Sequence, residues 1–249
     1  MHIIDINAAV GMATKSWRYT DVLGLYSYLD DYRIDTALVY NAVADRDPEN
    51  GNTDMLKIAA ESNGRIKPCM LLEPSLDSLG LPGEGTPLDR LRASKPSAVR
   101  VRQGENSNFV MDKFYAKDML VVLNEIHMPL LIEGEYSHQF LHALPEMALV
   151  YPNVPMILLH WGLNASRIIY PLLKHTSNVY FDMSVMIDAG AIEEIVEKFG
   201  SERLMFGSAL PHFVPAGALA LIKYPFISDK DKENIAHANF ERLEGGIRL

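Results

Sequence analysis

Short apolar runs rich in β-branched residues recur along the chain, and their starting points are separated by 23 to 32 residues. Runs of this length, bounded by turn-forming residues, predict β-strands. Two of them are almost continuously apolar, as expected of strands that are covered on both faces. The eight predicted strands span residues 2–6, 34–40, 66–72, 98–102, 129–133, 155–160, 178–182 and 203–208.

The segments between the predicted strands leave room for one helix each. Apolar positions fall on one helix face over residues 165–173 and again over residues 192–199. Ser228 and Asp231 have the spacing of a capping box, which predicts a last helix near the C-terminus. Eight linked strand–helix units predict a single α/β domain over residues 1–249, folded as a closed (β/α)8 TIM barrel. An open doubly wound sheet is the alternative.

The composition narrows the class of protein. The 249 residues carry a formal net charge of −9, and Lys and Arg form no cluster, which argues against nucleic acid as a partner. The single cysteine, Cys69, excludes a disulfide framework and a cysteine-based zinc module. The sequence has no signal-peptide pattern and no apolar run of about 18 residues, so we expect a cytoplasmic protein without a membrane partner.

Polar residues stand at the ends of several predicted strands, where α/β barrels place their reactive groups. Asp5 and Asn7 end the first strand, Glu133 ends the fifth and His160 ends the sixth. His212 follows the eighth strand. These residues are the first candidates for a functional site.

The connections after three strands are expected to determine which substrate binds. A stretch rich in Pro and Gly, residues 73–87, follows the third predicted strand and is long for a barrel loop. Long loops of this kind are commonly functional, so we place it on the active face of the barrel. The loops after Tyr40 and Arg102 open on the same face.

Two arginines alternate with valines on the fourth predicted strand, so Arg100 and Arg102 share one face. Arg102 lies nearer the carboxyl end, where its planar guanidinium can bind a carboxylate through two hydrogen bonds. We therefore predict that Arg102 binds a small anionic substrate, with Asn7 and His212 as further substrate-binding residues.

His160 and Glu133 are predicted to carry proton transfer, because a neutral imidazole beside a carboxylate can act as a general base without a metal. Asp5 lies two residues before Asn7. If the strand alternates regularly, the two side chains share the inward face. Asp5 is therefore the third predicted catalytic residue.

Several segments together resemble the amidohydrolase-related branch of the amidohydrolase superfamily. An acidic residue follows the first strand, and four motifs then keep the family's order and spacing. They are Leu-Leu-His-Trp-Gly at 158–162, Asn-Val-Tyr-Phe-Asp-Met-Ser at 178–184, Arg-Leu-Met-Phe-Gly-Ser at 203–208 and Asn-Ile-Ala-His-Ala-Asn-Phe-Glu-Arg-Leu at 234–243. The resemblance implies a (β/α)8 barrel that hydrolyses amides, esters or lactones, or decarboxylates ring acids, often with one divalent metal.

The chain departs from the family pattern at the positions of the metal ligands. The family has His-x-His at the end of the first strand, where this chain has Asn7 and Ala9. Glu133 stands where the family often has a His, and Ala209 replaces the Asp after Phe-Gly-Ser. His160 is retained. A catalytic zinc needs about three protein ligands, so no metal cofactor is expected unless a zinc site is rebuilt around Glu133 and His160.

Three hypotheses follow. The first is an amidohydrolase-like enzyme that hydrolyses a lactone, ester or amide of a small carboxylated molecule. The second is a catalytically inactive relative, or pseudoenzyme, that binds a small ligand or a partner protein in the same pocket. The third is a relocated metal site formed by Asp5, Glu133, His160 and His212. Assembly into a homo-oligomer is expected because such barrels commonly associate.

Overall fold

The structure, a computed structural model, describes residues 1–12, 19–104, 107, 109–134, 136–161, 166–186 and 190–249. Gly162 of the predicted Leu-Leu-His-Trp-Gly motif lies outside these ranges. Eight parallel strands form a barrel, and one short strand pairs antiparallel with the first of them. The strands are β1 (Ile4–Met12), β2 (Tyr19–Thr20), β3 (Thr36–Asn41), β4 (Ile66–Leu72), β5 (Ala98–Gln103), β6 (Leu130–Gly134), β7 (Met156–Leu158), β8 (Val179–Asp182) and β9 (Leu204–Met205).

Backbone hydrogen bonds between β1 and the segment that follows β9 close the barrel. The Ile6 amide donates to the Phe206 carbonyl at 3.0 Å, and the Ala9 amide donates to the Leu210 carbonyl at 2.9 Å. The predicted (β/α)8 barrel is therefore confirmed, and the doubly wound alternative is wrong. The eight predicted strands all overlap the strands of the barrel. The antiparallel strand β2 was not predicted.

Helices connect the strands and cover the outside of the barrel. Ser228 caps the helix that begins at Asp229, as predicted, and its side chain accepts a hydrogen bond from the Asp231 amide. No helix within the described ranges is long and apolar enough to cross a membrane. The helices are α1 (Val22–Tyr32), α2 (Pro48–Glu61), α3 (Pro87–Ser94), α4 (Lys117–Ile126), α5 (His138–Val150), α6 (Ser166–His175), α7 (Ala191–Phe199), α8 (Pro215–Lys223), α9 (Asp229–Glu233), a π-helical turn (Asn234–Ala238) and α10 (Asn239–Glu244).

The alternation of side chains along the strands divides the core into two layers. Val99 and Val101 of β5 belong to the large cluster between strands and helices. Residues of the other strand face, such as Leu131 and Ile157, form a second cluster inside the barrel. This alternation places Arg100 of β5 inside the barrel, where it is 3% exposed.

An irregularity in β1 overturns one detail of the prediction. The register of β1 against β3 shifts between Asp5 and Ala8. Ile4 and Ile6 both join the cluster inside the barrel, so Asp5 between them points the other way. The regular alternation that put Asp5 on the same face as Asn7 is wrong, because the bulge changes the facing of residues across it.

Candidate active site

A cleft of about 630 Å³ opens at the carboxyl ends of the central strands. It brings together three of the predicted residues, Arg102, Glu133 and His160. Glu73 and Pro74 from the predicted active-face loop also line it. The remaining lining residues that the structure describes are Ala44, Asp45, Leu71, Leu72, Gln103, Ser107, Phe109 and Gly134.

Two arginines converge on one carboxylate at the base of this cleft. Arg100 contacts Oε2 of Glu133 through Nε at 2.8 Å and through Nη2 at 2.7 Å, and Nε of Arg102 lies 3.2 Å from the same oxygen. Burial by itself would raise the pKa of Glu133, but Arg100, Arg102 and His160 lower it to about 2. Glu133 is therefore ionised at neutral pH and is a weak proton acceptor.

Tyr40 of β3 contacts the guanidinium groups of both Arg100 and Arg102. The guanidinium carbon of Arg100 lies 4.2 Å from the centre of the Tyr40 ring, within the range of a cation–π contact. Arg102 donates a hydrogen bond to the Tyr40 hydroxyl. Burial raises the pKa of Tyr40 to about 12, so the hydroxyl stays protonated. These contacts fix the positions of the positive charges at the base of the cleft.

Asn7 connects this charged group to His160. Nη1 of Arg100 donates to Oδ1 of Asn7 at 3.2 Å, and an arginine can only donate. The Nδ2 group of Asn7 therefore faces its other two partners, Oδ2 of Asp182 at 2.8 Å and Nε2 of His160 at 2.9 Å. Because Nδ2 is a donor, Nε2 of His160 must accept, and the proton of the neutral imidazole lies on Nδ1.

The backbone of His160 is also held in an unusual conformation. Its φ of 54° lies in the left-handed region, which histidine adopts more readily than most residues. The His160 amide donates to Oδ2 of Asp182 at 3.3 Å, and Ser184 holds the same carboxylate through its amide and hydroxyl. Burial lowers the pKa of His160 despite the nearby Asp182 and Glu133 carboxylates. The imidazole is therefore neutral at pH 7.

Asp45 lies beside Arg102 at the edge of the cleft. Its Oδ2 is 3.0 Å from Nη1 of Arg102, and its side chain is only 4% exposed. Neither carboxylate oxygen makes a well-directed hydrogen bond with any described residue. Burial, only partly opposed by Arg102, raises the pKa of Asp45 to about 6.

Three predicted residues, Asn7, Asp5 and His212, lie outside the lining of the cleft. Asp5 is buried and accepts hydrogen bonds from the amide of Ser208 at 2.9 Å, from its hydroxyl and from the amide of Asn7 at 3.0 Å. Burial raises the pKa of Asp5 to about 6, although these hydrogen bonds lower it. Asp5 thus joins β1 to the segment after β9. His212 is half-buried, and burial lowers its pKa.

The comparison with known families agrees with this architecture. Residues 124–243 match the family model described as Amidohydrolase. The resemblance to the amidohydrolase superfamily is confirmed. No curated protein matches the chain in sequence.

Solved structures share the fold of this amidohydrolase-like barrel over almost its whole length. A 5-carboxyvanillate decarboxylase from Sphingomonas paucimobilis has a TM-score of 0.73 at 13% identity, covering 98% of this chain and 99% of its own. A dihydroxybenzoic acid decarboxylase from Polaromonas sp. JS666, with bound manganese and the inhibitor 2-nitroresorcinol, has a TM-score of 0.75 at 14% identity, covering 98% and 97%. A 4-oxalomesaconate hydratase from Rhodopseudomonas palustris has a TM-score of 0.71 at 12% identity, covering 98% and 96%.

The donor set of this amidohydrolase-like barrel fits a divalent cation poorly. Within the described ranges, no three His, Cys, Asp or Glu side chains are grouped so that they could hold a metal ion. The positive charge of Arg100 contacts both Asn7 and Glu133, two of the strand-end residues at the family's ligand positions. A cation beside them would be repelled by the guanidinium group. We therefore derive no step that passes through a metal.

Four residues that belong to the charged and polar cluster around the cleft were not predicted from the sequence. They are Tyr40, Asp45, Arg100 and Asp182. The alternation of β5 already pointed to Arg100, and the position of Asp182 at the end of β8 was a further signal. Asp45 had no such signal, because it belongs to a 3₁₀ turn, Ala42–Asp45, whose path depends on the packing of its neighbours.

Proposed function

We propose that this protein is an enzyme that binds a small carboxylated molecule in the cleft and hydrolyses a lactone, ester or amide bond in it. The observation that carries the proposal is the meeting of Arg102, Glu133 and His160 in one cleft at the carboxyl ends of the strands. Such a cleft is where barrel enzymes hold their substrates. A flat apolar side chain, Phe109, lines the same cleft and suits a ring-containing substrate.

Arg102 supplies the contact for the substrate carboxylate. Of the two arginines, it is the more accessible, since its side chain is 23% exposed and that of Arg100 is 3% exposed. Glu133, ionised at neutral pH, orients Arg102 rather than exchanging protons with the substrate. Arg100 stays below the cleft and holds Glu133 and Asn7 in position.

His160 acts on the oxygen where negative charge develops during the reaction. Its Nε2 is engaged by Asn7, so Nδ1, which carries the proton, is the ring nitrogen left for the substrate. A neutral imidazole that donates this hydrogen bond polarises a carbonyl and stabilises the oxyanion formed when water attacks. The water loses one proton to solvent as it adds, and the leaving alcohol or amine takes up one proton as the carbon–oxygen or carbon–nitrogen bond breaks. Because Asn7 holds the ring and Asp182 holds the backbone amide of His160 beforehand, little reorganisation is needed during the reaction.

Metal-independent chemistry is part of the proposal. Ala209, where the family has an Asp, has a left-handed backbone with φ of 56°. This conformation costs an alanine about 1 kcal/mol or more, whereas Asn and Asp adopt it more easily. The backbone thus suits the aspartate that the family resemblance predicts at this position, and this supports the proposal that a metal ligand is replaced here.

Decarboxylation of a ring acid is the second candidate reaction. It is favoured by the fold shared with the 5-carboxyvanillate and dihydroxybenzoic acid decarboxylases. In both reactions, the substrate carries a carboxylate and negative charge builds up on the substrate. The two differ in their products, because hydrolysis releases an acid and an alcohol or amine, and decarboxylation releases carbon dioxide.

The test is a parallel screen of carboxylated lactones, esters, amides and benzoic acids for acid release and for carbon dioxide release. We expect turnover in the first group and a loss of about 100-fold or more in kcat for His160→Gln, which removes the oxyanion donor. His142→Gln, on an exposed face of α5, is the matched control and should retain full activity. Carbon dioxide release alone would favour the second reaction. An absence of turnover with any compound, together with thermal stabilisation by a small acid, would contradict an enzymatic role and favour the inactive relative.

A further inference from the structure

The guanidinium group of Arg102 is already surrounded by partners. Nη1 lies 3.0 Å from Oδ2 of Asp45, Nε lies 3.2 Å from Oε2 of Glu133, and Nη2 donates to the Tyr40 hydroxyl. An arginine has five N–H groups, so these partners leave one N–H on Nη1 and one on Nη2. A carboxylate from outside that binds through Nη1 must therefore compete with Asp45.

Asp45 is the partner of Arg102 that is held least firmly. Glu133 is bound by Arg100 as well as by Arg102, and Tyr40 also packs its ring against Arg100. Among the residues that the structure describes, Asp45 has the single ion pair with Arg102, and neither of its buried oxygens makes a well-directed hydrogen bond. Asp45 also lines the cleft, so its carboxylate stands where a ligand would enter.

We propose that Asp45 occupies on Arg102 the position that a ligand carboxylate takes, and that the cleft accepts a carboxylate when Asp45 gives up this ion pair. This inference rests on the proposed function, because it assumes that Arg102 is the anchor for the substrate. Asp45 then makes the binding of a negatively charged ligand depend on pH and leaves the binding of a neutral ligand independent of pH.

The backbone of Asp45 is too tightly packed to move away. The turn that carries it lies against α2 at Gly51, where an added Cβ would lie 2.3 Å from the Ala44 amide nitrogen. Asn41 accepts a hydrogen bond from the Val43 amide at 3.0 Å and fixes the start of the turn. The release of Arg102 therefore occurs at the side chain of Asp45, by rotation and uptake of a proton.

The charges around Asp45 determine how its proton uptake responds to a ligand. The charged and titratable groups that act on Asp45 or line its cleft are Arg46 on its own turn, Tyr40 on β3, Glu73 after β4, Arg100 and Arg102 on β5, Glu133 on β6 and His160 after β7. Burial raises the pKa of Asp45 to about 6, while Arg102 lowers it and Glu133 raises it. A ligand carboxylate on Arg102 adds a negative charge beside Asp45 and raises this pKa further.

A ligand carboxylate therefore binds together with one proton. Above about pH 6 in the free protein, Asp45 is ionised and must be protonated for the ligand to bind. The affinity should then fall by about tenfold for each further pH unit. Below that pH, the affinity should be nearly constant. A neutral ligand of the same shape should have no such dependence.

The experiment measures benzoate binding by calorimetry from pH 5 to pH 8, with benzamide as the neutral control. Wild type, Asp45→Asn, Arg102→Gln and the surface control Asp54→Asn are compared, each first checked for a native circular dichroism spectrum and a cooperative unfolding transition at pH 7. We expect wild type and Asp54→Asn to lose affinity above pH 6. Asp45→Asn should bind benzoate more than tenfold more tightly than wild type at pH 7.5, with a flat pH profile. The carboxyl ¹³C resonance of Asp45 should titrate near pH 6 and move to a higher midpoint with bound benzoate.

The outcomes separate the two levels of the proposal. Benzoate binding that depends on Arg102 but keeps the same pH profile in Asp45→Asn would overturn the role of Asp45 and leave the proposed function intact. Weaker binding by Asp45→Asn would do the same, because it would make Asp45 a ligand contact. An absence of benzoate binding in every protein at every pH, or binding that Arg102→Gln does not alter, would overturn the anion site itself.

Discussion

At the scale of single residues, the decisive feature is that Asn7 has only one workable orientation. Arg100 requires the amide oxygen, and Asp182 requires the amide nitrogen. The protonation state of His160 follows from these two neighbours, because Nε2 faces an N–H group. The chemistry available to His160 is thus set by residues that make no contact with the cleft in their own right.

Replacing Asn7 by Asp should reverse the protonation of His160. A carboxylate at this position accepts a proton from Nε2 and favours the charged imidazolium, so the pKa of His160 should rise by about 1 unit or more. A ¹H–¹⁵N NMR titration of the ring nitrogens measures this shift. Asn153→Asp, at an exposed position, should leave the His160 titration unchanged. A lower or unaltered pKa in Asn7→Asp would show that position 7 does not contact Nε2 of His160.

Arg100 does not line the cleft, but its replacement should strongly destabilise the fold. Arg100→Met removes the closest partner of a buried carboxylate and leaves Glu133 with Arg102 alone, which should cost about 3–5 kcal/mol of unfolding free energy. Urea denaturation at pH 7 measures the loss. Arg92→Met removes an exposed, 3.8 Å ion pair with Glu125 and should cost less than about 1 kcal/mol. Equal losses in the two variants would show that the Arg100–Glu133 pair is not a buried element of the structure.

At the scale of elements, the site depends on how closely the turn Ala42–Asp45 approaches α2. Gly51→Ala should push the turn outward, because the new Cβ would meet the backbone of Ala44 at 2.3 Å. We expect a loss of about 1–3 kcal/mol and a change in the Asp45 titration. Gly217 on α8 has no atom of a described residue within 4 Å of an added Cβ. Gly217→Ala should therefore be neutral or stabilising by about 0.5–1 kcal/mol in the same urea titrations. A Gly51→Ala protein as stable as wild type would contradict the tight packing of the turn.

The elements themselves were largely predictable, and the contacts between them were not. Apolar runs fix strand positions locally, so all eight barrel strands, and with them the cleft positions of Arg102, Glu133 and His160, follow from the sequence. The bulge in β1 that turns Asp5 toward Ser208 depends on pairing with β3 and on the segment after β9. Asp45 reaches Arg102 across two strands, and no local pattern encodes such a distant contact.

At the scale of the whole molecule, buried carboxylates with opposite shifts should shape the dependence of stability on pH. The folded-state pKa of Glu133 is lowered from 4.5 to about 2, so its contribution is complete above pH 4.5 and is lost as the pH falls toward 2. The folded-state pKa of Asp45 is raised from 3.8 to about 6, so the folded state loses stability as the pH rises through this interval.

Asp45→Asn should remove the contribution of Asp45 to the pH dependence of the unfolding free energy. The loss of stability between about pH 4 and pH 6 should become smaller, and at pH 7 the variant should be more stable than wild type by about 1–3 kcal/mol. Urea denaturation at several pH values, with Asp54→Asn as the exposed control, measures the difference. If the unfolding free energies of wild type and Asp45→Asn changed with pH in parallel, Asp45 would have an ordinary pKa in the folded protein.

The most direct test of the anion site is a crystal structure of the protein with benzoate at pH 5.5. We expect the benzoate carboxylate within hydrogen-bond distance of the Arg102 guanidinium, its ring beside Phe109, and Asp45 turned away from Arg102. Benzoate bound elsewhere in the barrel, with the contact between Asp45 and Arg102 intact, would contradict the assignment of Arg102 as the anchor of a carboxylated substrate.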